Sequence, residues 1–167
     1  MTDRALKNIY LKDFHKKNDA KFVPFAGYQM PINYKKGIIN EHLDVRNQAG
    51  VFDVSHMGQI LIPYNDINIS ALETCIPLDI NGLPFNKCNY SFILNARGGI
   101  IDDVMLSKIK IDNQDNIYIV YNASRKNILN EIFKNTIEKF QIIKNRCLIA
   151  IQGPDALQSI KSILNFP

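Results

Sequence analysis

Gly98-Gly99-Ile100-Ile101-Asp102-Asp103-Val104 reads as a tight turn feeding a strand. Paired glycines permit positive φ and a close chain reversal. Ser91-Phe92-Ile93-Leu94 before them and Val104-Met105-Leu106 after them are apolar and strand-like. Two adjacent carboxylates interrupt that run. Neighbouring side chains of a strand point to opposite faces, so Asp102 and Asp103 cannot both face solvent if one face is core. One of them is expected in a cleft or held by backbone N–H groups. A carboxylate at the mouth of a sheet, partly out of water, can orient a bound amine or take its proton. Two turn aspartates capping the glycine loop explain the same spacing equally well.

The 167 residues amount to one domain, or one domain and the start of another. A hydrophobic content of 46% with 22% charged residues fits a globular chain with a core. No apolar run approaches the roughly 20 residues that span a bilayer, so no membrane is expected. The polar N-terminus, with Asp3, resembles neither a secretory signal nor a transit peptide, which points to bacterial cytoplasm. Cys75, Cys88 and Cys147 are too few and too scattered for a disulfide framework. The net charge of +4 comes mostly from dispersed lysines rather than arginine clusters, so nucleic acid is not an expected partner.

From the N-terminus, residues 6–17 show near-helical apolar spacing, with Lys7, Lys12, Lys16 and Lys17 opposite and Arg4 nearby. Residues 22–31 crowd aromatics among two prolines and a glycine, which predicts an ordered loop rather than a central strand. A helix is expected over 38–49, carrying His42 on its apolar stripe, with Gly50 as a left-handed cap. Asp53 and His56 are too few for a metal site, and Ser55-His56-Asp53 is a poor triad because adjacent extended residues point apart. Arg46 is placed to pair with Asp53. A short helix over 67–76 and strands over 89–94, 100–109 and 117–121 follow, the last two joined by a turn at 112–116. Asn122-Ala123-Ser124 can cap an amphipathic helix over 125–140. The apolar run 147–151 reads as a buried strand, and Gly153-Pro154 opens a last helix. The order of elements predicts an α+β fold with a split β-α-β unit.

Three motifs in this order, Phe52-Asp53-Val54-Ser55-His56-Met57-Gly58, the glycine–aspartate stretch above and Gln152-Gly153-Pro154, resemble the T-protein of the glycine cleavage system. That family is the aminomethyltransferases. Val23-Pro24-Phe25-Ala26-Gly27-Tyr28 and Met30-Pro31 match as well, with Tyr28 where many members have Trp. Members are about twice this length, so the chain, ending at Asn165-Phe166-Pro167, resembles the N-terminal portion. The resemblance implies a ferredoxin-like folate-binding domain within a three-domain arrangement around a central folate site. On that basis residues 1–50 form a helical and loop segment packing on an incomplete folate-binding domain over 51–167. The implied reaction takes the aminomethyl group from the lipoyl arm of H-protein, passes its methylene to tetrahydrofolate and releases ammonia. No metal is implied.

By the same resemblance Asp103 is the catalytic aspartate, acting near the folate N5/N10 region. Tyr90, Asn122 and Met57 line the folate pocket, and Gly98, Gly99 and Asp102 support the turn. Residue by residue, blander readings stand beside these: Tyr90 as a core aromatic, Asn122 as a helix cap. The family's remaining folate-clamping residues fall outside this sequence, so the chain by itself is expected to turn over weakly or not at all. The folate domains of related oxidising enzymes and demethylases, folate-binding proteins of iron–sulfur maturation, and a non-catalytic folate-binding module remain alternatives; Ser55-His56-Met57-Gly58 favours the T-protein.

Overall fold

The computed structural model describes residues 5–164; Arg4 and Asn165-Phe166-Pro167 lie outside them. The chain divides into two compact units, residues 1–56 with 146–167 (unit 1) and residues 57–145 (unit 2). The sequence places a single boundary at 50/51. The observed one falls at 56/57, and the chain returns to unit 1 at 146.

In unit 1, β1 (Lys7–Asn8) is followed by α1 (Lys12–Lys17), so the expected 6–17 helix is shorter and begins as a strand. β1 runs parallel to Tyr28 and Gln29 of β3 (Tyr28–Asn33), which pairs antiparallel with β2 (Lys21–Phe25). The proline-rich stretch is therefore a hairpin, not a loop. Its two-residue turn, Ala26-Gly27, has φ of +48° and +81°, which suits the twist of a hairpin. Pro24 is accommodated because β2 is an edge strand, and Pro31 because β1 covers only the first two residues of β3. α2 (Ile38–Asn47) ends at Gln48 instead of at Gly50, has no buried residue, and leaves His42 exposed. Gly50 opens β4 (Gly50–Asp53).

Unit 2 is built on one antiparallel sheet. β5 (Gly58–Pro63) leads into α3 (Asp66–Glu73), whose N-terminal amide at Asn68 is capped by the Asn65 side chain. Then follow β6 (Cys88–Leu94), β7 (Ile100–Ile111) and β8 (Gln114–Tyr121). A 3-10 turn and α4 (Lys126–Thr136) connect β8 to β9 (Gln141–Ile142). Asp112 and Asn113, at φ +49° and +62°, make the expected turn a two-residue hairpin between β7 and β8.

The strand order is β6-β7-β8-β5-β9 with every neighbouring pair antiparallel. β8 and β9 thus run parallel with β5 between them, a split β-α-β unit through α4. Without β6, the order β9-β5-β8-β7 is the ferredoxin-like sheet; β6 is one edge strand added between α3 and β7. Period-two burial along β7 and β8 sends Val104, Leu106, Ile117, Ile119 and Tyr121 to one face. There they pack with Ile69 and Leu72 of α3 and with Leu129 and Phe133 of α4. A Cβ on Gly58 would lie 2.2 Å from the Tyr121 ring, so the close approach of β5 to β8 requires glycine there.

The last elements belong to unit 1. β10 (Ile149–Gln152) pairs antiparallel with β4, and α5 (Ala156–Leu164) follows. β10 is not the buried strand predicted from its apolar run. It lies in a two-stranded ribbon, and its ends, Ile149 and Gln152, are exposed. An unbroken apolar run does not reveal whether its strand will be covered on both faces.

Candidate functional site: one row across the open sheet face

Register places the candidate residues. Tyr121 pairs with Gly58 on one side and Val104 on the other, and Asp103 pairs with Phe92. One step beyond the Tyr121 pairs, Met57, Asn122 and Asp103 fall side by side, and Phe92 completes the row. The next row on the same face is Gln59, Val120, Met105 and Tyr90. Met57, Tyr90, Asp103 and Asn122, separated by up to 65 positions along the chain, thus meet at one end of the face turned away from α3 and α4. Phe92, Met105 and Val120 were not singled out from sequence. Counting by twos from Tyr90, from Asp103 and back from Asn122 finds all three.

Asp103 is the exposed member of the carboxylate pair, whereas Asp102 is buried on the side toward the helices. Asn122 joins them. Its Nδ2 donates to Asp102 Oδ1 at 2.9 Å and to Asp103 Oδ1 at 2.9 Å, and its backbone N–H donates to Asp102 Oδ2 at 3.2 Å. The side chain makes no helix-cap bond, although the Asn122 carbonyl accepts from the Arg125 amide as the 3-10 turn begins. The Tyr90 hydroxyl, two positions from Asp103's cross-strand partner, also hydrogen-bonds the Asp103 carboxylate. Loss of solvent around that hydroxyl, and then the negative charge of Asp103, push the Tyr90 phenol up. Tyr90 is exposed rather than core, and its ring stands edge-on to Phe92 at 5.3 Å.

Asp102 was expected to brace the glycine turn; the turn is braced by Asn95. Asn95 Oδ1 accepts from the amides of Arg97 at 2.9 Å and Gly99 at 3.0 Å, and the Asn95 carbonyl accepts from Gly98 N–H. Only Gly98 has positive φ, +76°. Asp102 is drawn away because the pairing slips beside it: Ile93 faces Asp102 while Leu94 faces Ile100, so Ile101 is an extra residue. Such a bulge re-aims the side chains beside it.

The aromatic and apolar members of the two rows form a flat floor, and Asp103 stands on it as a hydrogen-bond acceptor. A planar heterocycle lying on Phe92, Met105 and Val120 with an N–H toward Asp103 suits this arrangement.

Unit 1 carries a different arrangement. His15 Nε2 lies 2.9 Å from Asp53 Oδ2, His15 Nδ1 lies 2.6 Å from the Tyr34 hydroxyl, and Ser55 N–H donates to Asp53 Oδ1. Asp53 therefore pairs with His15, not with Arg46, and its side chain is 1% exposed. Burial alone raises its pKa, but the bonds from Ser55 and His15 outweigh this and hold the carboxyl below its ordinary value. The network borders a cleft of about 810 Å³ lined mainly by apolar side chains of β2, β3, α2 and β4. Among the described residues no group of three or more His, Cys, Asp or Glu is placed to hold a metal ion. No helix among them is long and apolar enough to cross a membrane.

Residues 11–166 match the family described as GCVT N-terminal domain. A mitochondrial aminomethyltransferase of Dictyostelium discoideum is 39% identical over 164 residues, covering 92% of this chain and 40% of that protein. The aminomethyltransferase of Clostridium botulinum (strain Loch Maree / Type A3) is 33% identical over 166 residues, covering 96% and 44%. Among solved structures, the glycine cleavage system aminomethyltransferase T of Bartonella henselae superposes with a TM-score of 0.84 at 32% identity, over 97% of this chain and 44% of that one. The chain thus spans about two fifths of the length of the relatives it matches.

Proposed function

Because the chain belongs to the GCVT N-terminal domain family, we propose that it supplies the folate-binding sheet of a tetrahydrofolate-dependent aminomethyltransferase. The donor is the aminomethyl group on the lipoyl arm of H-protein, the acceptor is tetrahydrofolate, and ammonia leaves. The reaction belongs to one-carbon metabolism and is assigned to the cytoplasm. Asp103 orients the folate nitrogen that attacks the methylene carbon. Tyr90 and Asn122 hold Asp103, and Met57 and Phe92 close the two ends of its row. The observation that carries this reading is the row itself: three residues distant in sequence, Met57, Tyr90 and Asn122, converge on the Asp103 carboxylate beside an aromatic floor.

Grafting tests it. Residues 11–166 replace the matching segment of the Bartonella henselae protein, and methylene-tetrahydrofolate formation is followed with aminomethylated H-protein and tetrahydrofolate. The folded graft forms the product, and the ungrafted 167-residue chain forms far less. A folded graft without turnover would contradict the proposal, and equal turnover by the chain alone would show that the remaining length is not needed.

A further inference from the structure

We infer that Asp102 is a positioning residue that locks the Asn122 amide, so that one N–H is delivered to Asp103 and only a hydrogen-bond acceptor is left for a ligand. The inference deepens the folate reading and rests on it for the identity of the ligand, but the lock itself does not.

A carboxylate only accepts, and a primary amide has two N–H donors on one nitrogen and an acceptor oxygen on the other arm. Both 2.9 Å contacts of the Asn122 side chain run to carboxylate oxygens, Asp102 Oδ1 and Asp103 Oδ1. The nitrogen must therefore face the aspartates, and both of its hydrogens are committed. Asp102 alone grips Asn122 twice, at the side chain and at the backbone N–H. It does so from a buried position, 8% exposed, just past the bulge that aims it. Asp103, exposed, receives the second hydrogen. Released from Asp102, the amide keeps one N–H on Asp103 but loses the two bonds that fix its second N–H and its backbone, so the direction of its oxygen is no longer set. The lock thus does two things at once. It fixes the second N–H and the backbone, and it presents the Asn122 carbonyl oxygen as the group available to a bound molecule. A ligand at this position must offer a hydrogen-bond donor there, a requirement that a ring N–H or an exocyclic amino group meets and a carbonyl does not.

The test is the side-chain amide signal of Asn122 in ¹⁵N NMR on the whole chain, read for hydrogen exchange. Both Asn122 amide protons exchange at least about tenfold more slowly than those of a free amide, as hydrogen-bonded protons do. In Asp102→Asn the proton directed at position 102 loses protection, because the new amide can present either arm to it, while the proton on Asp103 stays protected and the melting curve stays cooperative. In Asp103→Asn only the other proton loses protection; this variant decides the matter if Asp102→Asn fails to fold. Free-amide exchange in the unmutated chain, or protection unchanged in Asp102→Asn, overturns the lock. In the graft, tetrahydrofolate affinity falls about tenfold in Asp102→Asn, the scale of one hydrogen bond to a charged group. In an Asn122→Ser background the same substitution has no further effect. Additive losses would show that Asp102 does not act through Asn122. A graft that shows the amide signature but does not bind tetrahydrofolate would refute the folate reading and leave the lock standing.

Discussion

The two units bury their apolar residues very differently. In unit 2 the core runs without a break from Ile60 through Leu72, Ile93, Leu106, Ile119 and Tyr121 to Phe133, all at most 1% exposed. In unit 1 the buried apolar side chains among the described residues are Ile9 and Met30. Its helices and ribbon carry apolar groups in the open instead: Ile39 is 76% exposed, Val51 70%, Ile163 73%, with Ile38, Leu43, Phe52, Ile149 and Leu157 also exposed. Scattered exposed apolar residues are normal, but exposed apolar groups on four elements of one unit are not. Unit 2 is stabilised by its own core; unit 1 is held by hairpin pairing and by the Asp53–His15–Tyr34 hydrogen bonds. Relatives more than twice as long have further polypeptide available to cover such faces.

The contrast implies that core stability resides in unit 2, and the proposal places the chemistry there as well. In the graft, Asp103→Asn keeps size and packing but removes a charge, and turnover falls about 10²–10⁴-fold, as for loss of a positioned catalytic group. Asp53→Asn in unit 1 leaves turnover per folded molecule nearly intact. Steady-state rates corrected for folded fraction compare the two. For stability, Phe133→Ala empties part of the unit 2 core and costs about 3–5 kcal/mol. Ile39→Ala changes stability by less than about 0.5 kcal/mol. Chemical denaturation checks both, and equal losses would erase the contrast.

Acid and alkali should strike different units. The depressed Asp53 pKa gives unit 1 stability that is present above the ordinary carboxylate value near 4 and drains as pH falls below it. Amide exchange in β4 and α1 should therefore accelerate first on acidification, and Asp53→Asn should remove that dependence. Burial pushes the Tyr121 hydroxyl in unit 2 up to about 12. Its contribution holds below pH 10 and is lost between about 10 and 12; absorbance of the ionised phenol reports the transition. The smallest effect concerns H-protein. Lys7, Lys16 and Lys17 are candidates for contact with an acidic surface, whereas Lys12 is already bound to Asn8 and Gln29. Reversing the three charges should weaken H-protein binding about tenfold or less, and the loss should shrink with added salt. No salt dependence would remove the surface from the account.

The sheet of unit 2 was legible because its signals are local: alternation along β7 and β8, a polar turn at 112–116, an amphipathic stripe on α4. The site residues were placed by motif resemblance, and register then explained why they meet. What sequence did not reveal were partners that only tertiary structure supplies. His15 and Asp53 are 38 positions apart, so the nearer Arg46 seemed the natural partner. The hairpin at Ala26-Gly27 was hidden by prolines that an edge strand and an incompletely paired strand tolerate. The role of Asp102 depends on a one-residue bulge at Ile101, and adjacent aspartates on opposite faces gave no hint that one asparagine reaches both.

The central claim is that the open face of unit 2, and not the cleft of unit 1, receives the folate. The direct measurement is NMR titration of the ¹⁵N,¹³C-labelled chain with tetrahydrofolate. Shift changes should concentrate at Met57, Tyr90, Phe92, Asp103, Met105 and Asn122, while His15, Tyr34 and Val45 of the unit 1 cleft stay in place. Changes confined to that cleft, with the Asp103 row unmoved at saturation, would contradict the account.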